Sequence, residues 1–416
     1  MNLSRNKTLR FRKSGRQTNP WRVLFFAALI AGGIWLINLQ QQGQVQPLFV
    51  PTPTATRNPR SYAEEGEAQF AAGKLDKAIE AFQNALSVDP KNVDYHVALA
   101  RIQIYAQLYP QALETAGNAL IASPNSAKAK AIYAWALDWT GDLEGAQAAA
   151  VQAIALDSNY APAHAYYSEI LNDAGKWEQG ANEANLALSL DPNSLDAHRA
   201  MGYSNESVGN YAEAVIHYKA AIAINPNLLT LYISIGKNYR ALGDADQAIF
   251  YFSKANALDP TNIEPYLALS RTYYQIDEFG SAAQYLQSAL QLQPVNPDVH
   301  GRLGLIYFHA KNYEGAEPEL RLAVYGGQTE DGQTVEGMAL SAASLEYYYT
   351  LGNLMAAYKK CEPTEAPDLL NKALNFAPDS PAVLASYEES MAICRGVLAG
   401  EATPATPATP AATATP

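Results

Sequence analysis

The sequence predicts an all-α chain built as a solenoid of about nine antiparallel helix pairs, and three interleaved residue series predict it. Alanine recurs every 34 residues as Ala85, Ala119, Ala153, Ala187, Ala221, Ala255, Ala289 and Ala323. A second small-residue series runs Ala78, Ala112, Ala146, Gly180, Ala214, Ala248, Ala282 and Ala316, and a third places proline at 90, 124, 192, 226, 260 and 294, with Ser158 where one is missing. A fixed period of this size marks supersecondary units that bury their apolar faces only against their neighbours.

Within one unit the spacing gives two helices. From Asp196 to Ile224, apolar residues such as Met201, Tyr211, Ala214, Val215, Tyr218, Ala221 and Ile222 fall at helical intervals, and Gly209-Asn210 interrupts them. That glycine recurs as Gly73, Gly141, Gly175 and Gly243, where a tight helix–helix turn favours a residue without a Cβ. Proline just past the second helix stops it, and a polar residue such as Ser126 or Ser194 then caps the next.

These positions resemble the tetratricopeptide repeat, whose pattern runs aromatic, Leu-Gly, Tyr, Ala, aromatic, Ala, Pro. One copy here reads Tyr232, Ile235, Gly236, Tyr239, Ala248, Phe252, Ala255, Pro260; another reads His300, Leu303, Gly304, Tyr307, Tyr313, Ala316, Ala323. Eight units in register occupy residues 59–323, about two thirds of the chain.

The remaining segments flank this array. Residues 1–22 hold seven of the 29 basic residues and no acid, and residues 23–39 are uncharged, with Trp21 and Trp35 suited to membrane interfaces. Seventeen helical residues span roughly 26 Å, enough for one slightly short transmembrane helix. The positive-inside rule leaves the N-terminus cytoplasmic and the repeats extracytoplasmic, which predicts a single-pass protein of a bacterial-type cell membrane. A cleaved signal peptide is the competing reading, opposed by the length of the apolar run and by the lack of a small-x-small site in residues 37–46. Residues 40–58 form a Gln/Pro/Thr spacer ending in Asn58-Pro59, read as N-cap and N1 of the first repeat helix.

After the eighth unit the register fails. Residues 324–345 read as a β-hairpin-like insertion with Asp331-Gly332 as a two-residue turn, either functional or a loop without a role. Residues 346–379 form a divergent ninth repeat with extra residues around Cys361-Glu362-Pro363, residues 380–399 a capping helix, and residues 400–416 a disordered Ala-Thr-Pro tail. The two cysteines, Cys361 and Cys394, are candidates for a disulfide if the repeats lie outside the cytoplasm; two buried thiols are the alternative.

Charge and motifs narrow the function. The net charge is −12, and since residues beyond 22 carry 22 bases against 41 acids, the rest of the chain has a net of −19. That acidity argues against nucleic-acid binding. The sequence holds no Gly-rich phosphate loop, Cys-x-x-Cys, His-Glu-x-x-His or Gly-x-Ser-x-Gly. His96, His164, His198 and His300 share a register with Tyr232 and Tyr266 and lie at least 34 residues apart, so they read as aromatic substitutes on separate repeats. The expectation is a protein without catalysis, cofactor, metal or small-molecule substrate.

What the resemblance implies is binding on the concave face of the first helices. Carrying that register over selects the aromatics Tyr105, Trp135, Trp139, Tyr203, Tyr274 and Phe308 and a basic strip of Arg199, Lys237, Arg240 and Arg271. Trp135 and Trp139, four apart, share one helix face and offer an aromatic patch unless they pack against the next unit. The basic strip would select an acidic segment or a C-terminal carboxylate, unless neighbours such as Glu206 neutralise it. The lysine and asparagine clamp of chaperone-binding members of the family is not reproduced. The resulting expectation is a membrane-tethered scaffold for a protein or peptide partner, or alternatively a regulatory or assembly subunit of a cell-envelope complex for glycan synthesis or secretion.

Overall fold

The computed structural model describes residues 19–41, 57–358, 361 and 365–398. The basic segment before Asn19, the spacer between residues 42 and 56, the turn residues Glu362 and Pro363, and the Ala-Thr-Pro tail lie outside them. Two compact units result, divided after Arg57.

The first unit contains α1, Pro20–Gln41. Asn19 Oδ1 accepts the Trp21 N–H at 3.1 Å, so the helix starts three residues before the expected apolar run. The 20-residue stretch Pro20–Leu39 has a mean hydropathy of 1.9 and none of it is buried. At 1.5 Å per residue it is about 30 Å long, enough for a membrane span; an uncleaved signal sequence has the same character.

The second unit is a stack of helix pairs. They are α2 (Pro59–Ala71) with α3 (Leu75–Val88), α4 (Val93–Tyr105) with α5 (Tyr109–Ala122), and α6 (Ala127–Trp139) with α7 (Leu143–Leu156). Next come α8 (Ala161–Asp173) with α9 (Trp177–Leu190), α10 (Leu195–Ser207) with α11 (Tyr211–Ile224), and α12 (Leu229–Ala241) with α13 (Ala245–Leu258). Then follow α14 (Glu264–Gln275) with α15 (Phe279–Leu292), α16 (Pro297–His309) with α17 (Tyr313–Tyr325), and α18 (Leu345–Ala357) with α19 (Glu365–Phe376). A last helix, α20 (Pro381–Leu398), closes the stack.

Local chemistry sets these boundaries. Asn58, Asn92, Ser126, Ser194 and Asn296 each accept a first-turn N–H, satisfying a donor that the helix itself leaves unpaired. The inter-helix turn needs a left-handed residue: Gly73, Gly141, Gly175, Gly209 and Gly243 supply it, and Gln107, Asp277 and Lys311 adopt φ of 60–62° at the same position in the other units. The turn is therefore fixed by tertiary packing even where glycine is missing.

Both alanine series are fully buried, as small residues at a helix–helix contact must be. Where the first helix carries glycine, the second inserts a large side chain: a Cβ on Gly236 would lie 2.5 Å from Phe252, one on Gly202 2.8 Å from Tyr218, and one on Gly304 2.7 Å from Leu320. Where the first helix carries Ala100 or Ala134, the second carries Ala116 or Ala150, so volume is conserved across the pair.

The insertion begins later than expected, because Val324 and Tyr325 complete α17. Strands β1 (Gly326–Gln328) and β2 (Thr334–Glu336) pair antiparallel, with Gly327 opposite Val335. Asp331-Gly332 is not a two-residue turn. Gly332 donates to Thr329 O and Thr329 to Gln333 O, both at 2.9 Å, and Gly332 has φ of 78°, which makes a three-residue loop with a bulge. Met338 N–H on Ala323 O at 2.7 Å, and Tyr348 Oη on Met338 O at 2.8 Å, hold the hairpin's exit against α17 and α18.

Arg321 clamps Glu365 through Nη1 and Nη2 at 2.7 and 2.8 Å and joins the eighth unit to the ninth. Cys361 and Cys394 are disulfide-bonded, with Cα atoms 5.1 Å apart, which ties the turn after α18 to α20. Asn353 adds hydrogen bonds to Ser386 and Ser390 in the same buried contact.

Candidate partner-binding site

The first helices of five successive units, α4, α6, α8, α10 and α12, line a pocket of about 360 Å³. The coil closes around it. Asn225 Nδ2 donates to Phe70 O at 3.3 Å, and Asn227 Nδ2 to Ala71 O at 2.8 Å, so the entry to the sixth unit touches the end of the first helix of the first. Gln107 Nε2 reaches Glu264 Oε2 at 3.4 Å across the same gap.

Much of the inner wall is consumed by this closure. Tyr105 Oη donates to Asp196 Oδ1 at 2.7 Å, Tyr166 Oη to Asp196 Oδ2 at 3.0 Å, and Arg101 Nε lies 2.9 Å from the same carboxylate. Burial opposes ionisation of Asp196, but the charges of Arg101 and Arg199 outweigh it and hold the carboxyl below its ordinary range. Beside it, Trp135 is fully buried, stacked on Tyr166 at 4.4 Å with the Arg199 guanidinium 4.3 Å from its ring centre. Its indole N–H donates to Glu169 Oε2 at 2.9 Å while Glu169 Oε1 pairs with Arg199 Nη2 at 2.7 Å.

One helical turn further along lies a second acidic group. Asp138, 9 % exposed, lies near Asp173, and its carboxyl is pushed up to about 8 by burial, then by the charges of Asp173 and Glu169. Burial also carries Glu169 up to about 7 against the pull of Arg199. Tyr203 Oη donates to Asp173, and Tyr218 Oη and Asn238 Nδ2 occupy Glu206 at 3.0 and 2.8 Å.

The expected groove residues therefore divide. Tyr105, Trp135 and Arg199 floor the pocket but are held by the chain's own polar network, and Arg199 is only 12 % exposed in its side chain. Trp135 and Trp139 are not an exposed pair: the first is core, and the second, 44 % exposed, stacks on Tyr109 at 4.8 Å. Phe308 does not line the groove either, being 3 % exposed and packed on Tyr313, because this register turns into the C-terminal core. Tyr203 lines the pocket; Tyr274 is half-buried outside it, edge-on to His309 at 5.3 Å.

The basic strip divides likewise. Lys237 pairs with Glu264 at 2.9 Å on the pocket rim. Arg240 lies 5.6 Å over the Phe252 ring and within electrostatic reach of Arg271, and among the described residues no ion pair to either arginine is formed. Burial chiefly, and then the Arg271 charge, lower Arg240 to about 10.

The histidines serve the fold. Nε2 of His96, His164, His198 and His300 lies 2.9–3.0 Å from the carbonyl oxygen six residues earlier, and Tyr232 and Tyr266 donate to the same carbonyl in their units. A carbonyl only accepts, so each ring carries its proton on Nε2, replacing the tyrosine hydroxyl. Among the described residues no group of three or more His, Cys, Asp and Glu is placed to hold a metal.

Comparisons with known proteins agree with this architecture. One tetratricopeptide repeat model matches residues 69–136 and 239–286, and a second matches 168–228 and 267–333. The bovine BBSome complex member BBS4 is 29% identical over 97 residues, which cover 23% of this chain and 19% of that protein. Among solved structures, the APC/C hetero-tetramer Cut9-Hcn1 superimposes with a TM-score of 0.57 at 13% identity, covering 82% of this chain and 57% of that one. Pseudomonas aeruginosa pilF gives 0.45 at 19% identity over 57% of this chain and 98% of its own. The chain thus spans only a fraction of the length of the bovine protein and little over half that of the first structure. With the two repeat models together matching more than half of its residues, the chain belongs to the tetratricopeptide repeat family, whose fold typically mediates protein–protein interaction.

Proposed function

We propose that this protein is a membrane-tethered scaffold whose solenoid binds a polypeptide partner along its inner face, with Arg240 and Arg271 receiving an acidic segment or a chain-terminal carboxylate. The observation that carries this reading is the pair itself. Two guanidiniums within electrostatic reach, with no carboxylate partner among the described residues and in a part of the chain with a large acidic excess, repel each other until an anion bridges them. Arginine's planar fork suits bidentate capture of a carboxylate, and Lys237, one turn before Arg240, adds a flanking cation.

Tethering by α1 and an extracytoplasmic repeat domain form part of the same reading. The length and hydropathy of α1 and the seven bases in residues 1–22 support it, and so does the Cys361–Cys394 disulfide, a bond that persists in oxidising compartments. Protease added to intact cells should then remove the repeats, and their protection would sink this orientation.

The test of the groove is a pull-down with the detergent-solubilised full chain, comparing wild type with Arg240→Glu/Arg271→Glu. Partners bound through this pair are lost from the variant; recovery of the same proteins in the same amounts removes the reading. Arg199 is unsuitable for this comparison because Glu169 and Trp135 hold it in the core.

A second reading is an assembly or regulatory subunit of a cell-envelope complex for glycan synthesis or secretion that recruits a separate enzyme. In its favour, the bovine relative is by name a member of a multi-protein complex. Stable co-purification with an envelope enzyme would distinguish it from a free-standing scaffold.

A further inference from the structure

The inner wall already holds one guanidinium, and the means are visible. Arg199 lies over the face of Trp135 at 4.3 Å and is neutralised by Glu169 at 2.7 Å. The three residues sit on α6, α8 and α10, side by side in successive units. Moving one helical turn along each helix, four residues in each case, gives Trp139, Asp173 and Tyr203, and all three line the pocket. The aromatic and the carboxylate recur there, but Tyr203 stands where the cation would be.

A second, independent observation marks the same place. Asp138 is nine-tenths buried, lines the pocket, and its Oδ1 has no hydrogen-bond partner among the described residues. A buried acceptor left unpaired is costly, and an incoming N–H donor would satisfy it after a small rotation of the carboxyl about a soft torsion. Even with Asp138 protonated, the pocket's other carboxyl groups outnumber its cations: Glu169, Asp173, Glu206 and Glu264 against Arg199 and Lys237.

We propose that this pocket takes a cationic side chain of the partner, an arginine guanidinium or lysine ammonium, laid against Trp139 and neutralised by Asp138 and Asp173. The inference rests on the reading that a polypeptide lies in this groove, and it specifies that polypeptide further. The bound segment carries a basic residue for this pocket as well as the carboxylate that meets Arg240 and Arg271. The open face of Trp139 supplies the attraction of an aromatic quadrupole for a cation. Tyr109, stacked on its other face, fixes the indole in place. Burial and the charges of Asp173 and Glu169 favour the protonated form of Asp138, so a cation that pairs with it releases that proton. The charged groups acting on Asp138 are Asp173, Glu169 and Arg199.

Equilibrium dialysis with the full chain in detergent tests this directly. The probe is Nα-acetyl-arginine methylamide, and its control is the citrulline analogue, of the same shape but without charge. Both ends of each probe are blocked, so neither offers a carboxylate to Arg240 and Arg271. Failure here leaves the pull-down result on that pair untouched. The arginine probe should bind about tenfold more tightly than citrulline, and Asp138→Asn/Asp173→Asn should abolish the preference. Trp139→Ala, a change at a half-exposed position whose fold is checked by circular dichroism, should weaken the arginine probe alone. Equal binding of the two probes, no binding of either, or a preference that survives Asp138→Asn/Asp173→Asn would overturn the assignment.

Discussion

The Trp135 indole N–H donates to Glu169 Oε2 at 2.9 Å, one repeat period of 34 residues further along the chain. The bond joins α6 to α8, and the carboxylate it orients is the one that neutralises Arg199 on α10. Three successive units are thereby locked through one buried carboxylate, and each group depends on the other two.

Removing one member should show that dependence. Glu169→Ala leaves a largely covered guanidinium without its counter-charge, and breaking such a pair costs about 3–5 kcal/mol. Thermal melts should show the loss, with the steepest rise in hydrogen exchange in α6, α8 and α10. A melting temperature equal to that of wild type would mean the pair is solvated and of little consequence.

Stability should fall with rising pH through the Asp138 titration. Its folded value, about 8, lies above the ordinary carboxylate value, so the folded state holds a proton that the unfolded state has lost. That contribution is complete below about pH 4 and disappears as pH rises through about 8. Glu169, raised to about 7, acts in the same direction. Wild type should therefore melt lower at about pH 9 than at about pH 6, and Asp138→Asn, which cannot ionise, should flatten that slope. Identical slopes for the two proteins would exclude the buried acid.

Close packing within a unit can be probed at Gly236. The Cβ of Gly236→Ala would lie 2.5 Å from the Phe252 ring, and Ala221→Leu would force bulk into a fully buried contact. Overpacking of this kind costs about 1–3 kcal/mol. Paired with Phe252→Leu, Gly236→Ala should regain part of the loss in a denaturant titration, because the ring is what it meets.

The disulfide should stabilise only the end of the stack. It closes a loop with a sequence separation of 33, which in the chain-entropy account corresponds to about 3–4 kcal/mol. Cys394→Ser should raise amide exchange in α18 and α20 by that amount and leave α4 to α12 unchanged, since a solenoid transmits stability mainly between neighbours. Uniform destabilisation of the whole array would contradict this picture.

Period, helix pairing and caps were legible in the sequence because they are nearest-neighbour properties. Alanine at a fixed offset, proline past an exit and serine before an entry each act over a few residues or one unit. Even the histidines kept their meaning, as ring N–H donors in a tyrosine register.

The fate of the inner wall was different. Tyr105 bonds to Asp196 across a separation of 91 residues, and Asn227 to Ala71 across 156. Such contacts arise from the small rotation of each unit on the last, accumulated over several units, which no single repeat encodes. From its own helix, Trp135 presents the same register as Trp139, yet closure buries the first and leaves the second half-exposed. Arg199 and Arg240 likewise read alike in the sequence, but once the coil has closed Arg199 is paired with Glu169, whereas among the described residues Arg240 has no carboxylate partner. The sequence by itself determined the stacked helix pairs, because their packing is local; the tertiary structure alone decided which inner side chains remain for a partner, because that depends on how far the coil turns before it meets itself.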